Sequence, residues 1–172
     1  MLSALGAIPM LFIYDLDGTV IDSSHRQLQT RDETRALAYW RANNTPARVA
    51  QDRPLPLLDT LKAQHRAGHT IVLCTSRIMG PADYAWLWDH GVPYYRCLHR
   101  TPEHNLTPCG ELKHSLLLGL CDSLGWTWEW LCQNAAMLDD SQDVQRTLGA
   151  AGLIVLDPAT IETSRMVWSA TR

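Results

Sequence analysis

The chain has 172 residues, 46% of them hydrophobic, which is enough for one substantial core and too few for two ordinary domains. Fifteen basic against eighteen acidic side chains leave a formal charge of −3, which excludes a protein that coats nucleic acid or an anionic membrane through bulk charge. Five cysteines (Cys74, Cys97, Cys109, Cys121 and Cys132) without a Cys-x-x-Cys pair exclude a disulfide framework or a ribbon-type zinc site, and place the chain in a reducing cytoplasm.

The apolar start, Met-Leu-Ser-Ala-Leu-Gly-Ala-Ile-Pro-Met10, has no basic flank of the secretory type. No stretch approaches the roughly 20 apolar residues of a membrane span. Short apolar runs then alternate with segments of helical period, the pattern of a mainly parallel sheet with helices on both faces. The expected strands are Met10 to Tyr14, Thr70 to Cys74, Tyr94 to Leu98, Ala135 to Leu138 and Leu153 to Leu156. Helices are expected over Leu55 to Ala67, Ala82 to His90, Gly110 to Leu124 and Gln142 to Ala150, with Gly68, Gly91 and Gly152 placed as helix ends. Ser23 to Arg53, with its own helical stretch Asp32 to Ala42, is too short for a domain and suits a small cap or flap on a single domain spanning 1–172. The tail from Pro158 is polar apart from Trp168.

The first strand runs directly into Asp15-Leu-Asp-Gly-Thr-Val20. Strand geometry puts Asp15 and Asp17 on one side of the backbone, at the carboxyl edge where open α/β sheets bind ligands, and Gly18 permits a sharp turn. Such a carboxylate pair can hold a hard cation while one member attacks phosphorus and the other handles the leaving-group proton. The bland alternative is a turn in which both acids only cap backbone amides. Further along, Asp139 and Asp140 are adjacent acids at a strand end. They raise each other's pKa unless a cation lies between them and the first pair.

Taken in order, Asp15-Leu-Asp-Gly-Thr-Val20, the strand Ile71-Val-Leu-Cys-Thr-Ser-Arg77, Lys113 and Leu138-Asp-Asp140 resemble the four motifs of the haloacid dehalogenase (HAD) superfamily of phosphohydrolases. The resemblance covers about residues 10 to 157. It implies a three-layer αβα Rossmann-like HAD fold and Mg²⁺-dependent hydrolysis of a phosphomonoester through an aspartyl-phosphate. By the same resemblance Asp15 is the nucleophile and Asp17 the general acid/base. Thr75 hydrogen-bonds the phosphoryl group with help from neighbouring amides, and Lys113 neutralises the nucleophile and the phosphoryl oxygens. The implied metal set is Asp15, Asp17, Asp139 and Asp140.

Arg77, the Gly91-Val-Pro93 strand entry and the Asp139-Asp140 segment also resemble the 3′-phosphatase domain of bacteriophage polynucleotide kinase. Ser76 stands where that family has glycine, and no P-loop kinase motif is present. This resemblance implies a polynucleotide 3′ end as substrate; the alternative is a nucleoside monophosphate or another small ester. Candidate substrate contacts are Gly18, Ser76, Arg77, Arg96 and Arg100. Tyr39 and Trp40 either stack a base or, with Leu37, form the apolar face of the cap helix. A catalytically silent binding module and phosphoryl transfer to an acceptor other than water remain as rival readings. Dehalogenation is disfavoured by the presence of Asp17. Cys97, His99, His104 and Cys109 have zinc-ligand types without paired spacing, so a substrate loop is expected there. Trp126, Trp128 and Trp130 are expected in a packed turn or short helix, as core or homo-oligomer contact.

Overall fold

The computed structural model describes residues 10–104 and 106–161; the apolar start at residues 1–9 and the tail with Trp168 lie outside the described residues. Five strands, β1 (Leu11–Tyr14), β4 (Thr70–Ile78), β5 (Arg96–Arg100), β6 (Ala135–Leu138) and β7 (Ile154–Leu156), form one parallel sheet in the order β5-β4-β1-β6-β7. Period-two alternation assigns each strand's side chains to opposite faces. Phe12, Tyr14, Ile71 and Leu73 join one core with helices α3 (Leu57–Arg66) and α4 (Pro81–Asp89). Leu11, Ile13, Val72 and Cys74 join the other with α5 (Cys109–Leu124), α6 (Trp128–Asn134) and α7 (Gln142–Ala150). The result is a three-layer αβα arrangement. Gly68, Gly91 and Gly152, all at positive φ, end α3, α4 and α7.

The remaining elements are β2 (Ile21–Asp22), α1 (Glu33–Asn43), α2 (Pro46–Val49) and β3 (Arg53–Pro54). β2 and β3 pair antiparallel, Ile21 opposite Pro54 and Asp22 opposite Arg53, so the two ends of segment 23–53 meet in a short ribbon. The segment therefore stands over the sheet edge as a small helical cap.

Two strands differ from expectation by more than one residue, and both differences bear on the site. β4 runs on to Ile78 through a register shift: Thr75 pairs with His99, Ile78 with Arg100, and Ser76 and Arg77 between them have no ladder partner. A bulge of this kind re-aims side chains, and here Ser76 and Arg77 turn towards the cavity beside the sheet. β5 begins at Arg96 rather than Tyr94, because Tyr94 and Tyr95 are aromatic strand formers that lie exposed ahead of the ladder on an edge strand. Trp128 and Trp130 fall in α6, whose cap residue Thr127 accepts from Trp130 N, and the Trp126 and Trp130 rings pack 4.3 Å apart.

Candidate active site

Going from β1 the chain moves outward to β4 and β5, then returns past β1 to β6 and β7. The reversal lies between β1 and β6, and a parallel sheet opens a ligand crevice at the carboxyl ends of such strands. Asp15 leaves β1 and Asp139 leaves β6 at that crevice, each still held by the neighbouring strand through Asp15 N to Leu138 O and Asp139 N to Leu156 O. Asp15, Asp139 and Asp140 there bring carboxylate oxygens within 4.8 Å of one another, the one such acidic, His or Cys cluster of metal-holding geometry among the described residues.

Lys113 enters this group from the start of the second turn of α5. Gly110 is what lets α5 come close: a Cβ there would sit 2.5 Å from Thr147 Oγ1, and its N–H donates to Asp143 Oδ2 of α7 at 2.8 Å. Lys113 Nζ then lies 2.7 Å from Asp15 Oδ1 and 2.6 Å from Asp139 Oδ2, with all three residues buried. Burial pushes the Asp15 carboxyl from its ordinary value up to about 8, against the pull of Lys113 and with the push of Asp139 and Asp17. Asp140, exposed at the rim of the group, is also raised, by partial desolvation and by the neighbouring Asp139 charge. An all-oxygen set carrying more negative charge than one ammonium can balance is the chemistry a hard divalent cation answers.

Gly18 closes the turn after β1 at φ +73°, a conformation that favours glycine, and a Cβ there would come 2.1 Å from Asp140 Oδ2 and displace that carboxylate from its place. Thr75 is fully buried; its Oγ1 accepts from Arg77 N at 3.1 Å, which leaves the hydroxyl proton to donate towards the cavity. Ser76 Oγ, buried and without a hydrogen-bond partner among the described residues, borders the same space.

The Asp17 carboxylate takes a different direction from the metal reading of the sequence. It faces Arg77, with Arg77 Nη2 2.5 Å from Oδ1 and Nε 3.2 Å from Oδ2, and accepts from Ser23 Oγ as well, so its side chain stands outside the acidic trio. Burial would raise its pKa, but the Arg77 charge and hydrogen bonds and the Ser23 hydroxyl outweigh that and hold it below the usual carboxylate range.

Arg77 is likewise not the free phosphate contact that the sequence suggests. It spans Asp17, Asp83 (2.7 Å) and Asp52 (3.4 Å), and Asp52 also takes both Nε (2.8 Å) and Nη2 (2.5 Å) of the fully buried Arg26. Arg26 reaches Asn44 Oδ1 at 2.8 Å, and Asn44 Nδ2 donates to Ile78 O. This network ties the cap to the end of β4. Sequence reading missed Arg26, Asp52 and Asp83 because single charged residues in a polar segment look solvated; what marks them is burial, which composition does not report.

The two remaining candidates divide. Arg100 is buried at the carboxyl end of β5, borders the cavity, and donates to Ser76 O (3.1 Å) and Thr107 O (2.9 Å). Arg96 lies at the amino end of the same strand, exposed, stacked 4.2 Å from the Tyr95 ring and outside the cavity. The later start of β5 puts Arg96 at the wrong end of a parallel strand for a carboxyl-edge site. His99 and His104 are occupied locally, at Arg100 O and at Thr101, and form no cluster with Cys97 and Cys109.

These groups surround a cavity of about 610 Å³, within the roughly 300–1,000 Å³ usual for small-molecule sites. Its floor is Asp15, Asp17, Thr75, Ser76, Lys113 and Asp140; cap residues, including Trp40, form the opposite wall, while Tyr39 takes no part in the lining.

The sequence profile described as Bacteriophage T5 5′-deoxynucleotidase matches residues 4–99, more than half of the chain. The chain belongs to the bacteriophage T5 5′-deoxynucleotidase family. The matched stretch holds Asp15, Asp17, the whole cap and the Thr75–Arg77 bulge, and stops before Lys113 and Asp139. Within this family, the 5′-deoxynucleotidase of Escherichia phage T5 is 32% identical over 89 residues, which is 49% of this chain and 36% of that protein. The aligned region thus covers little more than a third of the phage relative's length.

Solved structures extend the likeness across the sheet. A HAD-superfamily hydrolase of Geobacter sulfurreducens PCA matches with a TM-score of 0.59 at 14% identity, over 86% of this chain and 88% of that one. A HAD family enzyme of Bacteroides thetaiotaomicron, in complex with magnesium and inorganic phosphate, matches with a TM-score of 0.52 at 11% identity, over 87% and 94%. A chain of the Pnkp1/Rnl/Hen1 RNA repair complex matches with a TM-score of 0.58 at 20% identity, over 87% and 42%. The fold is that of the HAD hydrolases.

Proposed function

We propose that this member of the family is a Mg²⁺-dependent phosphomonoesterase that hydrolyses deoxynucleoside 5′-monophosphates. The observation that carries the chemistry is the buried Asp15 at the end of β1, held by Lys113 and facing Asp139 and Asp140. Family membership and a cavity of small-molecule size favour a nucleotide over the polynucleotide 3′ end. Free cysteines throughout suit a cytoplasmic enzyme, and no described helix is long and apolar enough to cross a membrane.

In this reading Asp15, Asp139 and Asp140 would hold the cation, which supplies charge neutralisation for the nucleophile and the phosphate. An Asp15 carboxylate oxygen attacks phosphorus in line, forming the Asp15–phosphorus bond as the bond from phosphorus to O5′ breaks. Asp17 gives its proton to the departing O5′. It then accepts a proton from water, whose oxygen attacks phosphorus, releases inorganic phosphate and restores the Asp15 carboxylate. Lys113 balances Asp15 throughout, and the Thr75 hydroxyl donates to a phosphoryl oxygen. Because Arg77 holds Asp17 ionised in the free protein, the acid step requires that pair to loosen. A phosphate dianion arriving beside Asp17 raises its pKa in the needed direction.

Asp15→Asn tests the assignment. With Mg²⁺, phosphate release from deoxynucleoside 5′-monophosphates and from a generic aryl phosphate should fall at least about a thousandfold, while the circular dichroism spectrum is retained. Turnover within tenfold of wild type would remove Asp15 as nucleophile. A wild type inactive on every ester tried would favour the binding-module reading.

A further inference from the structure

The mechanism uses the floor of the cavity and leaves its opposite wall without a task. Much of that wall is apolar and comes from the cap: Leu28, Leu37 and Trp40, with Leu55 behind the ribbon and Leu106 from the loop before α5, while the polar lining residues Ser23, Ser24 and Gln27 are bonded to Asp17, Asp22 and Ser23. Leu37 and Trp40 reach it together because they stand three residues apart on α1, on one face of the helix. A site for a sugar phosphate or another hydroxyl-rich ester would need polar partners here, since buried hydroxyls without them are costly.

Trp40 is the large planar group of this wall, and it is held rather than loose. The Arg26 guanidinium lies 4.3 Å from the indole centroid and that of Arg77 5.4 Å, and both arginines are fixed by Asp52 and Asp83. The indole is half-buried and borders the cavity. Its Nε1 is buried without a hydrogen-bond partner among the described residues, so the ring is placed by the cations beneath it and not by a bond from its own nitrogen. A rigid aromatic plane facing a phosphate floor across one small cavity matches a flat, aromatic substituent on the ester.

Resting on the nucleotidase reading, we propose that Trp40 is the specificity-determining residue of this site: with Leu37 it receives the nucleobase of the substrate, while the phosphate lies on Asp15 and Lys113. The cap thus selects a nucleotide over a base-free phosphate ester. Base–aromatic stacking supplies roughly tenfold to a hundredfold in binding, and the gain falls mainly in KM because the base is remote from the reacting bond.

The test compares kcat/KM for thymidine 5′-monophosphate with that for 2-deoxyribose 5-phosphate, under identical Mg²⁺, in wild type, Trp40→Ala and Trp40→Phe. Wild type should prefer the nucleotide at least tenfold. Trp40→Ala should cut that ratio about tenfold or more, chiefly through KM, and Trp40→Phe, which keeps a ring and the fold, should retain most of it. A ratio for Trp40→Ala within twofold of wild type overturns the inference, even if both absolute rates fall, and leaves the nucleotidase reading standing. A wild type that shows no preference for the nucleotide overturns both. Independently of Trp40→Ala, tryptophan fluorescence of Asp15→Asn should be quenched by thymidine 5′-monophosphate but not by 2-deoxyribose 5-phosphate, and Asp15→Asn combined with Trp40→Phe should lose that quench. A quench unchanged by Trp40→Phe counts against the inference.

Discussion

The two charged clusters around the cavity, one at the sheet edge and one beneath the cap, hold their charges in opposite ways. On the sheet side three carboxylates, Asp15, Asp139 and Asp140, face the single ammonium of Lys113. On the cap side Asp17, Asp52 and Asp83 face two guanidiniums, Arg26 and Arg77, with several bidentate or bridging contacts. The sheet cluster is under-neutralised, and the proposed cation would complete it from outside. The cap cluster is close to self-sufficient, and its arginines serve structure first. One cluster is built for phosphate chemistry, the other to hold the cap and orient one carboxylate.

The largest effect should follow from breaking the sheet cluster. Lys113→Met leaves two buried carboxylates without their cation; removing one partner of a buried pair costs about 3–5 kcal/mol, and Asp15 can relieve part of this by taking up a proton. We expect a melting temperature lower by roughly 10 °C and phosphate release down by about a thousandfold or more, measured by calorimetry and by a phosphate assay. A fully stable and active Lys113→Met protein would mean that the acidic trio is neutralised by other means and that the contrast between the clusters is false.

The cap cluster should respond with a pH signature. Arg77→Gln removes the group that holds Asp17 below the carboxylate range. Since the folded pKa of Asp17 lies below its unfolded value, the pairing contributes stability at neutral pH, and that contribution is lost as the pH falls through the ordinary carboxylate range and below. The gap in melting temperature between wild type and Arg77→Gln, taken in chelator, should therefore be widest at neutral pH and narrow on acidification. Turnover should drop about a hundredfold, as Asp17 loses its orientation. A gap that does not change with pH would show that Arg77 acts on packing alone.

The same division explains what the sequence could tell. Asp15 and Asp17 stand out because they follow an apolar strand at what becomes the sheet's carboxyl edge, whereas Thr75, Lys113 and Asp139-Asp140 gain their roles from standing in the order of the HAD motifs they resemble. The αβα layering was legible from the alternation of apolar runs with helical segments, down to β6 and α7, whose bounds match the expected ones. Arg26, Asp52 and Asp83 lie far apart in the chain and meet only after the cap folds, so no local pattern marks them. The turn of the Asp17 side chain away from the trio depends on Arg77 reaching it across the bulge of β4, and a bulge leaves little trace in hydrophobic periodicity.

A matched pair of substitutions on β5 sharpens the comparison at its weakest point, where one strand supplies both a cavity residue and a bystander. Arg100 and Arg96 are four residues apart, roughly 13 Å along a strand. Arg100 is buried and clamps Ser76 O and Thr107 O, so it shapes the bulge that presents Ser76 to the cavity. Arg100→Gln should raise KM about tenfold with a smaller change in kcat, because a displaced bulge weakens substrate contacts more than it disturbs Asp15. Arg96 is exposed, and its stacking on Tyr95 lies outside the cavity, so Arg96→Gln should leave KM, kcat and melting temperature within about twofold or 1 °C of wild type. Steady-state kinetics on the two variants side by side would check this. A loss at Arg96 comparable to that at Arg100 would mean that substrate reaches beyond the cavity along the edge strand, as a polynucleotide would and a mononucleotide would not.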